Sequence, residues 1–246
     1  MNPLIVVTGG TKGIGRAIVE RFAEGGFDVV ASARSEKDLN QLKQEIEQSV
    51  AEVLEGFDEA VIPTVFPFAA DLSRREEVDG LIGFVKSLNR PVSALVNNAG
   101  IFLPGQIHNE PEGTFETTMA LNVTGVYHLT RGLLPDMIDR RSGHLFMMGS
   151  TASIMAYPNG GSYCISKFAL LGMAKVLREE LREFGIRVTT LLPGATYTDS
   201  WAGSGLPEAR FMKAADVADV VWTAYNLSAG AVVEEILLRP QLGDIK

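Results

Sequence analysis

The first fifteen residues constrain the fold more than any other part of the chain. Leu4-Ile5-Val6-Val7 is a short apolar run that reads as one buried strand, and it leads into Thr8-Gly9-Gly10-Thr11-Lys12-Gly13-Ile14-Gly15. A helical pattern follows, with Ile14, Ala17, Ile18 and Phe22 on one face. Gly25-Gly26 ends that helix, and Val29-Val30-Ala31 supplies a second strand. A glycine pattern alone is compatible with a plain turn. Between a strand and a helix start it reads as a dinucleotide site: the glycines let the backbone approach a pyrophosphate, and the free N–H groups and dipole of the helix start favour its negative charge.

The rest of the chain continues the alternation. A long polar helix is predicted from about Glu36 to Glu55, facing solvent, then a loop from Gly56 to Pro63. A third strand covers Thr64 to Ala69, with an irregularity expected at Pro67. A helix after Ser73, a strand at Ser93 to Asn97, helices around Phe115 to Ile138 and a strand at His144 to Met148 come next. The helix containing Tyr163 runs to about Phe184, where Gly185 stops it. Val188 to Leu192 is another strand, and the last pair is a helix at Asp216 to Leu227 and a strand at Val232 to Leu238. This order predicts an α/β fold: one Rossmann-type, doubly wound parallel sheet with helices on both faces and the ligand at the carboxyl ends of the strands. Its 246 residues suit one domain, 1–246, able to bury a large core, and no repeat, low-complexity tract or linker interrupts them.

Composition narrows the function. A formal net charge of -8 disfavours a nucleic-acid or anionic-membrane partner. No uncharged apolar run reaches membrane-spanning length and no signal peptide precedes the first strand, so a soluble cytoplasmic protein is expected. Cys164 is the only cysteine, which excludes an intrachain disulfide and a cysteine cluster for zinc. Beside Tyr163 it is either a packed, inert thiol or an oxidisable one. His108, His128 and His144 show no metal-ligand spacing, and no metal site is expected.

Tyr163 and Lys167, four residues apart, can place a phenol and an ammonium on one helix face. Such a pair can simply be solvated. It can also be an acid/base device, since a nearby positive charge stabilises the phenolate and lowers the tyrosine pKa from about 10. Taken with Thr-Gly-x-x-x-Gly-x-Gly at Thr8 to Gly15, Asn97-Asn98-Ala99-Gly100, Asn122 in Leu-Asn-Val-Thr-Gly, and Ser150, the chain resembles the short-chain dehydrogenase/reductase family from Thr8 to Thr198.

The resemblance implies an oxidoreductase that passes a hydride between a nicotinamide cofactor and a carbonyl compound. Its catalytic tetrad would be Asn122, Ser150, Tyr163 and Lys167, with Tyr163 the proton donor, Ser150 orienting the carbonyl, Lys167 lowering the Tyr163 pKa and holding the nicotinamide ribose, and Asn122 anchoring a relay water. Cofactor contacts would come from Thr8, Gly9, Thr11, Lys12, Gly13, Ile14 and Gly15, from Asn98, Ala99 and Gly100, from Tyr163 and Lys167, and from Pro193, Gly194, Thr196 and Thr198. Asp71 and Leu72 match the adenine-contacting pair, although an Asp there could equally cap a helix. Ala33 occupies the family's acidic position, followed by Arg34. With Lys12 this gives two cations for a 2′-phosphate, so the expected cofactor is NADP(H).

On the substrate side, Tyr157, Tyr197 and Trp201 join Ser150 and Tyr163 at the rims of the cleft, either stacking on a flat ring or packing within the lid. The lid would span about 194–214, interrupted by Gly203, Gly205 and Pro207. The stretches Pro193 to Trp201, Val232 to Pro240 and Gly243 to Ile245 are similar to bacterial sepiapterin reductases. That implies a small carbonyl substrate of the sepiapterin or dicarbonyl kind, with a 3-oxoacyl thioester reductase or a non-catalytic dinucleotide-binding regulator as alternatives. A homodimer or homotetramer is expected, through the helices around Asn122 to Ile138 and Tyr163 to Phe184.

Overall fold

The computed structural model describes residues 1–53, 62–201 and 204–245, so Glu55, Gly203 and residues 56–61 of the expected loop lie outside the described residues. The elements are β1 (Leu4–Thr8), α1 (Gly13–Glu24), β2 (Asp28–Ala33), α2 (Glu36–Val53), β3 (Val65–Ala69), α3 (Arg75–Ser87), β4 (Val92–Asn97) and α4 (Thr114–Met119). A π-helical turn, Ala120–Gly125, joins α4 to α5 (Val126–Arg140). Then come β5 (Gly143–Met148), α6 (Gly161–Leu181), β6 (Ile186–Pro193), α7 (Ala214–Tyr225) and β7 (Glu235–Leu238).

The seven strands form one sheet in the order β3-β2-β1-β4-β5-β6-β7, every neighbouring pair parallel. The chain winds outward from β1 in both directions, so the crossovers part between β1 and β4 and leave a crevice at their carboxyl ends. The glycine turn after β1 and the Asn97-Asn98-Ala99-Gly100 turn after β4 flank that crevice.

A parallel sheet covered on both faces needs strands that are apolar on both sides. β1 shows this: Ile5 and Val7 enter one core with Ile18, Phe22 and Leu39 and with Val221 of α7. Leu4 and Val6 enter the other, with Leu81 of α3, Leu129 of α5 and Leu170 of α6. The polar appearance of α2 conceals Leu39, Leu42 and Ile46, all buried. One solvated face does not make the whole helix solvated.

Two local expectations change. Pro67 causes no irregularity: β3 pairs with β2 in unbroken register from Val29↔Val65 to Ala33↔Ala69. β3 is an edge strand, where a proline's missing N–H costs no ladder bond. The final strand is also shorter than Val232 to Leu238, because only Glu235 to Leu238 lie beside β6. Gly185 ends the α6 region as expected, at φ 68°.

Candidate active site

The turn after β1 is held by backbone and small side chains. The buried Thr8 hydroxyl donates to Val96 O at 3.3 Å and accepts from Asn98 N and Ala99 N, both at 3.0 Å. Asn98 Nδ2 donates to Thr8 O at 2.9 Å and Gly9 O at 3.2 Å. Asn98 and Ala99, expected to touch a cofactor, thus brace the turn that would receive one. A β-carbon on Gly15 would stand 2.1 Å from Gly9 O, and Gly13 has φ 51°, so both positions require glycine. No side chain caps α1 and no acid lies in its first turn, which leaves N–H groups and the positive dipole end for an anion. Ile14 turns instead onto the apolar core, while Thr11 is half-buried and Lys12 exposed. A cradle that a side chain would fill, at an uncapped helix start, fits a dinucleotide pyrophosphate.

Arg34 is exposed directly after β2. Asp71 faces it. Partial burial works against ionising that carboxyl, but hydrogen bonds from the Ser73 amide and hydroxyl, at 3.0 and 2.7 Å, and the charges of Arg34 and Arg74 hold it below the usual carboxylate range. Asp71 therefore shapes a turn and does not cap α3, whose N-cap is Arg74. Leu72 is buried, its carbonyl packed against Gly125. Lys12 is not a free cation: its Nζ pairs with Asp199 Oδ2 at 3.1 Å, both groups exposed. Asp199 was invisible as a partner because the two lie in segments far apart along the chain.

Four side chains gather across the cleft from this turn. Ser150 follows β5 in extended conformation, caps the short turn Thr151–Ser153, and accepts from Ala152 N at 3.1 Å. Lys167 is buried, donates to Met148 O at 2.7 Å, and stands 5.6 Å from the centre of the Tyr163 ring. Asn122 sits in the π-helical turn, where its Oδ1 accepts from Ile101 N at 2.8 Å and its Nδ2 donates to Ile101 O and Ser166 Oγ, each at 3.0 Å. It fastens the chain after β4 to α6. Gly100 fills the space between, for a side chain there would stand 3.2 Å from Asn122 Oδ1 and 3.7 Å from Lys167 Nζ.

The electrostatics correct one expectation. Burial pushes the Tyr163 phenol above 10; a hydrogen bond with Ser150 pulls the other way, and the neighbouring Cys164 adds to the rise. Burial also lowers Lys167 from 10.5 to about 8. Desolvation, which penalises both charged forms, outweighs the attraction expected from their spacing.

The segment after β6 folds back over the glycine turn. Pro193 ends the strand beside Leu238, Gly194 N donates to Leu238 O at 2.8 Å, and Thr196 bridges to Met212. Thr198 stands so close to Gly13 that a β-carbon there would meet its Cγ2 at 2.8 Å. Tyr197 and Trp201 both pack on Phe211, ring centres 5.7 and 5.1 Å apart. Both rings thus pack within the lid, and Phe211 is the residue that sequence reasoning missed.

Tyr157 neighbours Tyr163 and Cys164, just ahead of α6. It borders a cavity of about 480 Å³ lined by Ile107, Cys164, Ile165 and Phe168 along the flank of α6, with no contribution from the glycine turn. Burial, then its neighbours Tyr163 and Cys164, push its phenol upward. Phe102, also missed, meets the Tyr163 ring edge-on at 4.9 Å. Only its place shortly after Asn-Asn-Ala-Gly signalled it. His144 is buried, stacks on Phe146 at 3.9 Å and contacts Thr189 Oγ1 at 2.7 Å; burial and the charge of Arg187 lower it to about 3. No group of three potential metal ligands occurs among the described residues.

A switch-point crevice with a glycine cradle on one side and, across from it, a Tyr-Lys pair whose lysine is buried defines a nucleotide-dependent oxidoreductase. Residues 3–208 match the model of the short chain dehydrogenase family, and the chain belongs to that family. It is 34% identical to a sepiapterin reductase of Chlorobaculum tepidum, over 100% of this chain and 99% of that protein. An alcohol dehydrogenase from the archaeon Thermococcus sibiricus, complexed with 5-hydroxy-NADP, superposes with a TM-score of 0.87 at 25% identity, covering 100% of both chains. A metagenomic short-chain oxidoreductase in complex with NADP superposes with a TM-score of 0.80 at 28% identity, covering 97% of each chain. The chemistry of this family is oxidoreduction between alcohol and carbonyl.

Proposed function

We propose that the chain is an NADPH-dependent carbonyl reductase with Tyr163 as proton donor. The observation that carries this is the convergence of Tyr163, buried Lys167, Ser150 and Asn122 opposite an uncapped helix start. Thr8 to Gly15, Gly100, Asp71, Leu72 and Thr198 would hold NADPH, with Arg34 and Lys12 near its 2′-phosphate. When bound, NADPH supplies the hydride that adds to the substrate carbonyl carbon.

The residues of this chain manage the proton. Its raised pKa keeps Tyr163 protonated at neutral pH, so Oη has a proton to give when negative charge develops on the carbonyl oxygen. Ser150 Oγ donates to the same oxygen and orients it. The Lys167 ammonium then opposes the cost of leaving a phenolate in a buried site, and Met148 O fixes its position. Asn122 holds the segment after β4 against α6, which keeps the pair registered with the crevice.

The proposed substrate is a flat or vicinal carbonyl compound of the sepiapterin kind. Full-length similarity to a sepiapterin reductase supports it, as do the exposed aromatic surfaces of Phe102 at the proton donor and of Tyr197 in the lid. Ile165, Phe168 and Val176 stand exposed along α6 and support a homo-oligomer that covers them. Tyr163→Phe tests the assignment: NADPH oxidation with sepiapterin should fall by about 100-fold or more while NADPH binding stays within a few-fold. Turnover above that level would remove Tyr163 from its role.

A further inference from the structure

The helix that carries Tyr163 begins without a cap of its own. Gly160 occupies the N-cap position, no side chain there bonds to the helix start, and Gly161 follows it. Glycine is the weakest helix former after proline, so a Gly-Gly start favours fraying of the first turn. Tyr163 lies in that turn, where fraying would displace the hydroxyl that the proposed reduction depends on.

The missing cap comes from Glu110, 52 residues earlier in the chain. Glu110 Oε1 accepts from Ser162 N at 2.8 Å, and Oε2 accepts from the Ser162 hydroxyl. A carboxylate at a helix N-terminus satisfies an orphan N–H and complements the dipole. The side chain lies in a socket made by two glycines: a β-carbon on Gly161 would stand 1.9 Å from Glu110 Oε1, and one on Gly105 would stand 2.5 Å from Glu110 Cγ. Gly161, which weakens the helix start, is therefore also one of the two glycines that admit the carboxylate.

The connection between β4 and α4 is pinned at both ends. Asn122 grips Ile101 at its start, and Glu110 grips Ser162 near its end. Between them, Gly105 N donates to Asn159 O at 3.1 Å and Gln106 Nε2 to Asn159 Oδ1 at 3.2 Å. Phe102, on this connection, touches the Tyr163 ring. We propose that Glu110 is a positioning residue for the carbonyl reduction, capping α6 from outside and holding Tyr163 and the Phe102 loop in one register. The catalytic part of this inference rests on the reading of Tyr163 as proton donor; the capping part does not.

Hydrogen exchange and steady-state kinetics on Glu110→Ala, Glu110→Gln, Ser162→Ala and the double variant Glu110→Ala/Ser162→Ala separate the two parts. In Glu110→Ala the amides of Ser162, Tyr163 and Cys164 should exchange about tenfold faster, and kcat for sepiapterin should fall about tenfold, with NADPH affinity from fluorescence within twofold. Glu110→Gln, which keeps an acceptor for Ser162 N, should recover part of both losses. The double variant should lose little beyond Glu110→Ala, because both substitutions break one contact. Unchanged amide protection overturns the cap. Faster exchange with unchanged kcat, or a kcat loss matched by an equal loss of NADPH affinity, overturns the positioning role. Should Glu110→Ala not fold, Ser162→Ala gives the same readings with a smaller change. Wild-type protein that reduces no carbonyl would sink the reading of Tyr163 and leave the exchange arm to decide the cap.

Discussion

The two walls of the crevice are built on opposite principles. The glycine turn is shaped by what is missing: a side chain at Gly15 would stand 2.1 Å from Gly9 O, and Asn98 clamps the backbone from beneath. The segment after β6 is shaped by what is present, as Tyr197 and Trp201 lean on Phe211 and Arg210 donates to Gly243 O and Asp244 O at 2.9 and 3.0 Å. A wall made of backbone offers a fixed surface to a fixed ligand, and tolerates no additional atoms. A wall made of packed side chains can shift and repack, which suits a substrate side that differs among relatives.

The sharpest way to break this contrast is Gly15→Ala. One added methyl must displace backbone, so NADPH binding should disappear and stability should fall by roughly 3 kcal/mol or more. Normal NADPH affinity, measured by fluorescence, would show that the turn adapts as freely as the lid.

Next in size is the double variant Arg34→Ala/Lys12→Ala. NADPH affinity should fall by roughly 1.5–3 kcal/mol per charge-assisted contact, with little change for NADH, and Lys12 should contribute the smaller part because Asp199 already shares its charge. Equal losses for both cofactors by calorimetry would detach these cations from the 2′-phosphate.

On the other wall, Phe211→Ala should lower kcat/KM for sepiapterin by roughly tenfold while leaving NADPH affinity within about twofold. A larger effect on NADPH than on substrate would mean that the lid belongs to the cofactor wall.

The smallest effect is on pH dependence. The glycine turn offers backbone N–H groups that do not titrate, whereas Lys167, lowered to about 8, is charged below that pH and neutral above it. Turnover should decline as pH rises through about 8, while the part of NADPH affinity that resides in the turn stays flat. Between about 8 and 10.5 the unfolded chain keeps a proton that the folded chain has shed, so the Lys167 contribution to folding stability improves with pH there. A kinetic profile flat to pH 9 would contradict this.

The features legible in the sequence were those that depend on local order. β1, its glycine turn and α1 are adjacent in the chain, and the required glycines announce the turn. The alternation of elements likewise yields the parallel sheet. Contacts made by irregular segments left no such trace: Asp199 on Lys12, Phe211 under Tyr197 and Trp201, and Glu110 on Ser162 each bring in a residue whose own surroundings in the sequence mark only turns. The direction of the Tyr163 shift was also unreadable, because spacing reports the proximity of a charge and says nothing of how much water the fold removes. Pro67 shows the same limit, since its effect depended on β3 being at the edge of the sheet.

The π-helical turn at Ala120–Gly125 makes the length of one helix a functional quantity. A π turn accommodates one residue more than the α-helical ladder allows, and such turns arise by single insertions. Removing one residue between Ala120 and Gly125 would restore an ordinary helix and leave α4 and α5 near their present registers, but it would abolish the widened turn that carries Asn122. Asn122 would then lose its grip on Ile101, though every remaining residue kept its identity. For this segment insertions and deletions are harsher than substitutions, and any graft of the site onto another scaffold must carry the surplus residue with it.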